Sequence, residues 1–167
     1  TPQQLKKAIG PRTAMLILNS PSNPGGFTYT PDELRALAKV LEGTNVCVMS
    51  DEIYEKLIYG DTKFISFAAL SADAFSRTLT LNGLSKAYSM TGWRLGYTAA
   101  PKHYAEAIDK IQNHTVSNAS SFAQYGALAA LQGDQSFIED LRGEYDVRRQ
   151  FVYARFKAIP NIRVVEP

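Results

Sequence analysis

Five side chains in this chain combine a chemically useful type with a useful place. Lys86 lies in Asn82-Gly83-Leu84-Ser85-Lys86-Ala87, just past Thr78–Leu81, which reads as a buried strand. A lysine there can reach a pocket instead of bulk water, and a neutral amine forms a Schiff base with a carbonyl. Taken alone, a surface lysine in a loop is the simpler account. Arg94 follows eight residues on, in Gly92-Trp93-Arg94-Leu95-Gly96. Its rigid guanidinium suits a phosphate, and a buried salt bridge beside Trp93 is an equal alternative. Asp51 follows the apolar run Val46-Cys47-Val48-Met49, where a carboxylate is costly unless a cation pairs with it. A cationic ring nitrogen would serve, and so would an ordinary arginine. Tyr54, three residues later, could donate its hydroxyl to the same ligand or simply pack. Asn23, between Pro21 and Pro24, could reach that ligand or only shape a turn.

The elements that must position these residues alternate in type. Thr1-Pro2-Gln3-Gln4 and Thr30-Pro31-Asp32-Glu33 are capping boxes with proline at the first helical position. Leu5, Ala8 and Ile9 follow the first; Leu34, Leu37, Ala38 and Leu41 make a buried stripe after the second, closed by Gly43. Ala14–Leu18 is a continuous apolar run that predicts a strand covered on both faces. Ser20–Gly26, with two prolines and two glycines, must be a loop. Val46–Met49, Thr78–Leu81 and Leu95–Thr98 read as further strands. A helix is predicted over about 101–114, with Tyr104, Ile108 and Ile111 inward. Another, capped by Ser121 with Gln124, runs to Leu131 and stops at Gly133. A longer one over about 135–158 carries Phe137, Leu141, Tyr145, Val152 and Phe156, and Pro160 ends it.

Strands taking turns with helices predict an α/β fold, a three-layer α/β/α sandwich around a mostly parallel sheet. Ligands of such sheets sit beyond the carboxyl ends of the strands. Asn23 follows the first strand, Asp51 and Tyr54 the second, Ser85 and Lys86 the third. That shared placement is the first functional clue.

Composition narrows the class. The chain has 167 residues, 45% hydrophobic and 20% charged, as an ordinary globular domain does. Eighteen Lys and Arg against sixteen Asp and Glu leave +2, no mandate for nucleic acid or an acidic membrane. No apolar run approaches the length of a membrane span, and no leader is evident, so a cytoplasmic protein is expected. The single cysteine, Cys47, excludes an internal disulfide and reads as a core thiol. His103 and His114, eleven residues apart on one predicted helix, stand roughly 16 Å apart, too far to share a metal. The basic residues of the last helix interleave with Glu139, Asp140, Glu144 and Asp146, as on a solvated face. The chain opens on a helix cap rather than Met, and Ile162–Val165 starts a strand-like run and stops, so a piece of something larger is expected.

Three strings occur in order: Asn19-Ser20-Pro21-Ser22-Asn23-Pro24-Gly25-Gly26, Ser50-Asp51-Glu52-Ile53-Tyr54, and Ser85-Lys86 with Arg94. Together with Met90-Thr91-Gly92-Trp93-Arg94-Leu95-Gly96-Tyr97, they resemble class I/II aminotransferases of the aspartate aminotransferase type. The resemblance covers essentially the whole chain. It implies pyridoxal 5′-phosphate as cofactor and an exchange of an amino group between an amino acid and a 2-oxo acid. It implies that Lys86 carries the cofactor as a Schiff base and then acts as acid and base. Asp51 would pair with the pyridine N–H, and Tyr54 and Asn23 would bond its phenolic oxygen. Asn23 would also approach the substrate carboxylate, and Arg94, with Ser85, would grip the phosphate.

The resemblance also implies a division: 1–134 part of the large domain, 135–158 a connecting helix, 159–167 the start of a small domain. The substrate-carboxylate arginine and a ring-stacking aromatic would lie outside this chain, which alone is not expected to turn over. The full-length protein would be a homodimer. Two positions depart from the family pattern. Gly25 stands where threonine is usual, which should loosen the loop, and Gly83 stands where a serine often binds phosphate. Two other readings share these motifs: a different pyridoxal-phosphate reaction such as a C–S lyase or other elimination, and an aminotransferase-like sensor domain of a transcription regulator.

Overall fold

Thr1 starts α1 (Pro2–Ala8) through a complete capping box with Gln4, and Thr30 starts α2 (Pro31–Leu41) the same way with Glu33. The hydroxyl of Thr30 accepts from the Glu33 N–H at 3.2 Å, and a Glu33 carboxylate oxygen accepts from the Thr30 N–H at 2.8 Å. Those bonds hold the Glu33 carboxyl below its ordinary range, the backbone contact first. The computed structural model describes residues 1–167. Leu34, Leu37, Ala38 and Leu41 are all buried, as the stripe predicts, and Gly43 turns the chain with φ +73°. That left-handed turn is where glycine is needed.

Four strands form one sheet in the order β1-β2-β3-β4. They are β1 (Met15–Asn19), β2 (Cys47–Asp51), β3 (Thr78–Gly83) and β4 (Gly96–Ala99). β1, β2 and β3 are parallel, joined by α2 and by α3 (Ala72–Arg77); β4 returns antiparallel to β3, with Gly83 opposite Gly96. The α/β class and mostly parallel sheet agree with the sequence pattern. Three helices follow: α4 (Lys102–Thr115), α5 (Ser121–Gln132) and α6 (Ser136–Lys157). No helix is long and apolar enough to cross a membrane.

The main core lies between the sheet and α2. Leu18, Val48, Leu34, Leu41, Phe67 and Ala74 pack there, and Val48 and Leu41 are wholly buried. At about 25 cal/mol per Å² of apolar surface, each such side chain contributes roughly 2 kcal/mol. Arg77 closes the edge of this core: it pairs with Asp73 at 2.6 Å and donates to the carbonyls of Thr44 and Val46 at 2.8 and 2.9 Å.

Several sequence expectations need correction. The opposite face of the sheet is covered over β2 and β3, where Cys47 and Leu79 are buried, but over β1 Met15 and Ile17 are exposed. The Ala14–Leu18 run is therefore covered on one face only, because nothing in this chain lies over the other. No residue of α4 is buried, so Ile108 and Ile111 are not inward. In α6 only Ile138 is buried, while Phe137, Val152 and Phe156 are exposed. The cap of α5 is Ser120, not Ser121, and it makes no side-chain bond; Gln124 instead donates to the Ala119 carbonyl at 2.7 Å. Residues 162–165 form no strand, having no partner with which to pair.

Candidate functional site

Three parallel strands bring three segments to one edge. Asn19 ends β1, Asp51 ends β2 in register beside it, and β3 ends at Gly83 just before the turn that holds Ser85 and Lys86. This is the carboxyl edge of the sheet, where α/β folds bind ligands.

Past β1 the loop closes on itself: the Ser22 N–H donates to the Phe27 carbonyl at 2.9 Å, and the Gly26 N–H donates to the Ser22 carbonyl at 3.0 Å. Asn23 stands exposed at its outer side, and its backbone N–H donates to Asn19 Oδ1 at 2.8 Å. Its side-chain Nδ2 donates to the Tyr54 hydroxyl at 3.1 Å. Tyr54 is half-buried in the turn after β2, held by the Leu57 N–H donating to its carbonyl at 2.8 Å. Lys86 Nζ lies 5.6 Å from the centroid of the Tyr54 ring. Tyr54, Ser85, Lys86, Thr91 and Tyr145 line a cavity of about 380 Å³. Asn23, Tyr54, Ser85 and Lys86 are thus brought together.

Asp51 is half-buried, and one oxygen accepts the Ile53 N–H at 3.2 Å. It forms no ion pair with any lysine or arginine of the chain. Its ordinary partner is therefore absent, and the carboxylate keeps capacity for a cationic ligand atom.

Arg94 stands apart from this group. It takes a left-handed φ of +54°, is exposed, and its Nη1 donates to the Thr91 carbonyl at 3.1 Å. The alternative of a buried salt bridge beside Trp93 does not hold, since the guanidinium pairs with no carboxylate. It is not part of the lining around Lys86, though Thr91, its carbonyl partner, is.

The two departures from the family pattern have local causes. A Cβ at residue 83 would lie 2.9 Å from Gly96 Cα, so the pairing of β3 with β4 requires glycine. A Cβ at residue 25 would lie 2.4 Å from the Phe27 ring, which fills that space and stands edge-on to Tyr29. The loop is filled there rather than merely loosened.

Sequence reasoning missed three residues here. Glu52 is buried, and its Oε1 accepts from Ser50 Oγ at 2.9 Å, Ser66 Oγ at 3.0 Å and the Phe67 N–H at 3.0 Å. Desolvation pushes its carboxyl above the usual range, against those hydrogen bonds. Strand alternation beside Asp51 was the available signal: the two carboxylates must leave opposite faces. Tyr145 read as a core residue of α6 and lines the Lys86 cavity instead. Asn19 stood in the sequence only as the first residue of the string that runs to Gly26.

A family model described as aminotransferase class I and II matches residues 1–167. The aspartate aminotransferase of Geobacillus stearothermophilus is 47% identical over 167 residues, all of this chain and 42% of that protein. A probable aspartate/prephenate aminotransferase of Rhizobium leguminosarum bv. phaseoli is 48% identical over 159 residues, 95% of this chain and 40% of that protein. Among solved structures, the Thermus thermophilus aspartate aminotransferase with maleate aligns at a TM-score of 0.93 and 35% identity. It covers all of this chain and 43% of that one. The chain therefore spans well under half the length of these relatives.

Proposed function

Because the chain belongs to the class I and II aminotransferase family, we propose that it forms the cofactor-carrying part of an aspartate-aminotransferase-like enzyme. The reaction moves an α-amino group from an amino acid to a 2-oxo acid. The cofactor is pyridoxal 5′-phosphate. One observation carries this: Asn23, Tyr54 and Lys86 converge at the strand ends, beside an Asp51 carboxylate with no cation of its own.

The residues fit the group. Lys86 offers an amine into a cavity, Asp51 an unpaired carboxylate, and the Asn23–Tyr54 pair two polar groups for a phenolic oxygen. Bound there, pyridoxal 5′-phosphate supplies a ring that withdraws electrons from the substrate Cα as its proton leaves. Lys86 Nζ would hold the cofactor, and would take and return the proton at the substrate Cα. Asp51 would pair with the ring nitrogen and favour its protonated form. Tyr54 and Asn23 would orient the ring through its phenolic oxygen, and Asn23 would also meet the substrate carboxylate. Ser85 and Arg94 would hold the phosphate; the Arg94 guanidinium is bonded to the Thr91 carbonyl in this structure. With glycine at 83, phosphate binding leans on those two and on groups beyond this chain.

The same proposal makes α6 the link between a large domain (1–134) and a smaller one, and includes a homodimer in the cytoplasm. The test is the visible absorption spectrum of the purified protein with added pyridoxal 5′-phosphate, against Lys86→Ala. The expected result is a protein-dependent band, lost in the variant and trapped by borohydride on Lys86. A band that survives in Lys86→Ala, or none in the intact full-length protein, overturns the assignment.

A further inference from the structure

We propose that Asn19 is a positioning residue for the Asn23–Tyr54 pair, an inference that rests on the cofactor reading above. Asn19 is half-buried at the last position of β1 and touches both neighbouring site segments. Its Oδ1 accepts the Asn23 N–H at 2.8 Å, and its Nδ2 reaches the Asp51 carbonyl at 3.5 Å. The Ser20 N–H donates to that same carbonyl at 3.2 Å, so the Asp51 main chain is gripped twice from the end of β1.

Asn23 is exposed, in a loop whose composition leaves its exit direction open. An exposed asparagine bonded only to water would sample several rotamers. The bond from its N–H to Asn19 fixes where the residue leaves the sheet edge, and Nδ2 then meets the Tyr54 hydroxyl. The asparagine amide offers an acceptor to Asn23 and, from a separate atom, a donor to Asp51. Aspartate would set a carboxylate against the Asp51 carbonyl, and serine is too short to span both.

The consequence is electrostatic. Donors on the phenolic oxygen of the cofactor favour its anion, and so lower the pH at which the visible band changes. Losing Asn19 disorders that donation and raises the midpoint.

The experiment uses the holoenzyme of the full chain as wild type, Asn19→Ala, Asn23→Ala and the double variant. Asn19→Ala is expected to raise the midpoint by about half a pH unit and to weaken cofactor binding roughly fivefold. In the Asn23→Ala background it should add nothing, because the residue acts through Asn23. An unchanged midpoint, or an equal shift in both backgrounds, overturns the proposal. Should Asn19→Ala fail to fold, hydrogen exchange of the Asn23 amide in the wild type decides: protection supports the bond, free exchange sinks it. A wild type without any band removes the cofactor reading and this proposal together; a normal band with an unmoved midpoint removes this proposal alone.

Discussion

The Asn23 side chain donates to the Tyr54 hydroxyl across 3.1 Å, although 31 residues of sequence separate the two. The link exists because β1 and β2 run parallel and in register, so the loops that leave them rise side by side. Tyr54→Phe removes the acceptor of that bond and one group for the ligand while keeping the ring. It is expected to weaken pyridoxal 5′-phosphate binding roughly fivefold to tenfold, with the fold retained. Fluorescence titration with the cofactor checks this, and an unchanged dissociation constant would put Tyr54 outside the site.

Glu52 makes stability depend on pH in a definite direction. Its folded carboxyl sits above the ordinary value of 4.5 because of desolvation. The fold therefore binds a proton there more readily than the unfolded chain. The contribution is fully present below about pH 4.5 and is lost as pH rises through the folded value. Glu52→Gln keeps an acceptor for Ser50, Ser66 and Phe67 and should flatten that dependence. Glu52→Ala strands two buried donors, Ser50 and the Phe67 N–H, and the half-buried Ser66, and should destabilise by about 2–4 kcal/mol. Urea midpoints at pH 4 and pH 8 separate these cases; a steeper pH dependence in Glu52→Gln than in wild type would contradict them.

Restoring the family residue at position 25 should harm this chain. Gly25→Thr drives a Cβ into the Phe27 ring and is expected to destabilise by about 1–3 kcal/mol. Adding Phe27→Ala should recover part of that loss. Thermal melts of the two single variants and the double report the coupling, and strict additivity would mean the ring simply moves aside.

Leu41 is wholly buried between α2 and the sheet. Leu41→Ala is expected to lower stability by about 2–5 kcal/mol. Chemical denaturation measures it, and a change below about 1 kcal/mol would mean that this core is loosely packed.

The stripe of α2 was legible because one chain supplies both the helix and the strands that cover it. Ile108, Ile111, Val152 and Phe156 show the converse. Their spacing marks faces suited to burial, while burial itself depends on what lies opposite, and they are exposed. The alternation within β1 was hidden by a wholly apolar run, in which residues of both faces look alike. The direction of β4 was not legible either, since a strand signal carries no polarity. Asn23, Asp51, Tyr54 and Lys86 were legible from type, spacing and place after a strand. The part played by Asn19 was not, because a strand-ending asparagine shows neither partner until register sets Asp51 beside it.

β1 occupies one end of the strand order, and its five residues, Met-Leu-Ile-Leu-Asn, include no charge and no proline. One side of its backbone N–H and C=O groups is therefore left without a ladder partner, next to the exposed Met15 and Ile17. Such an edge is a template for pairing with another chain, and neither charge nor proline within the strand guards it. Produced as this segment alone, the polypeptide should self-associate edge to edge, and a lysine at position 17 should keep it in solution.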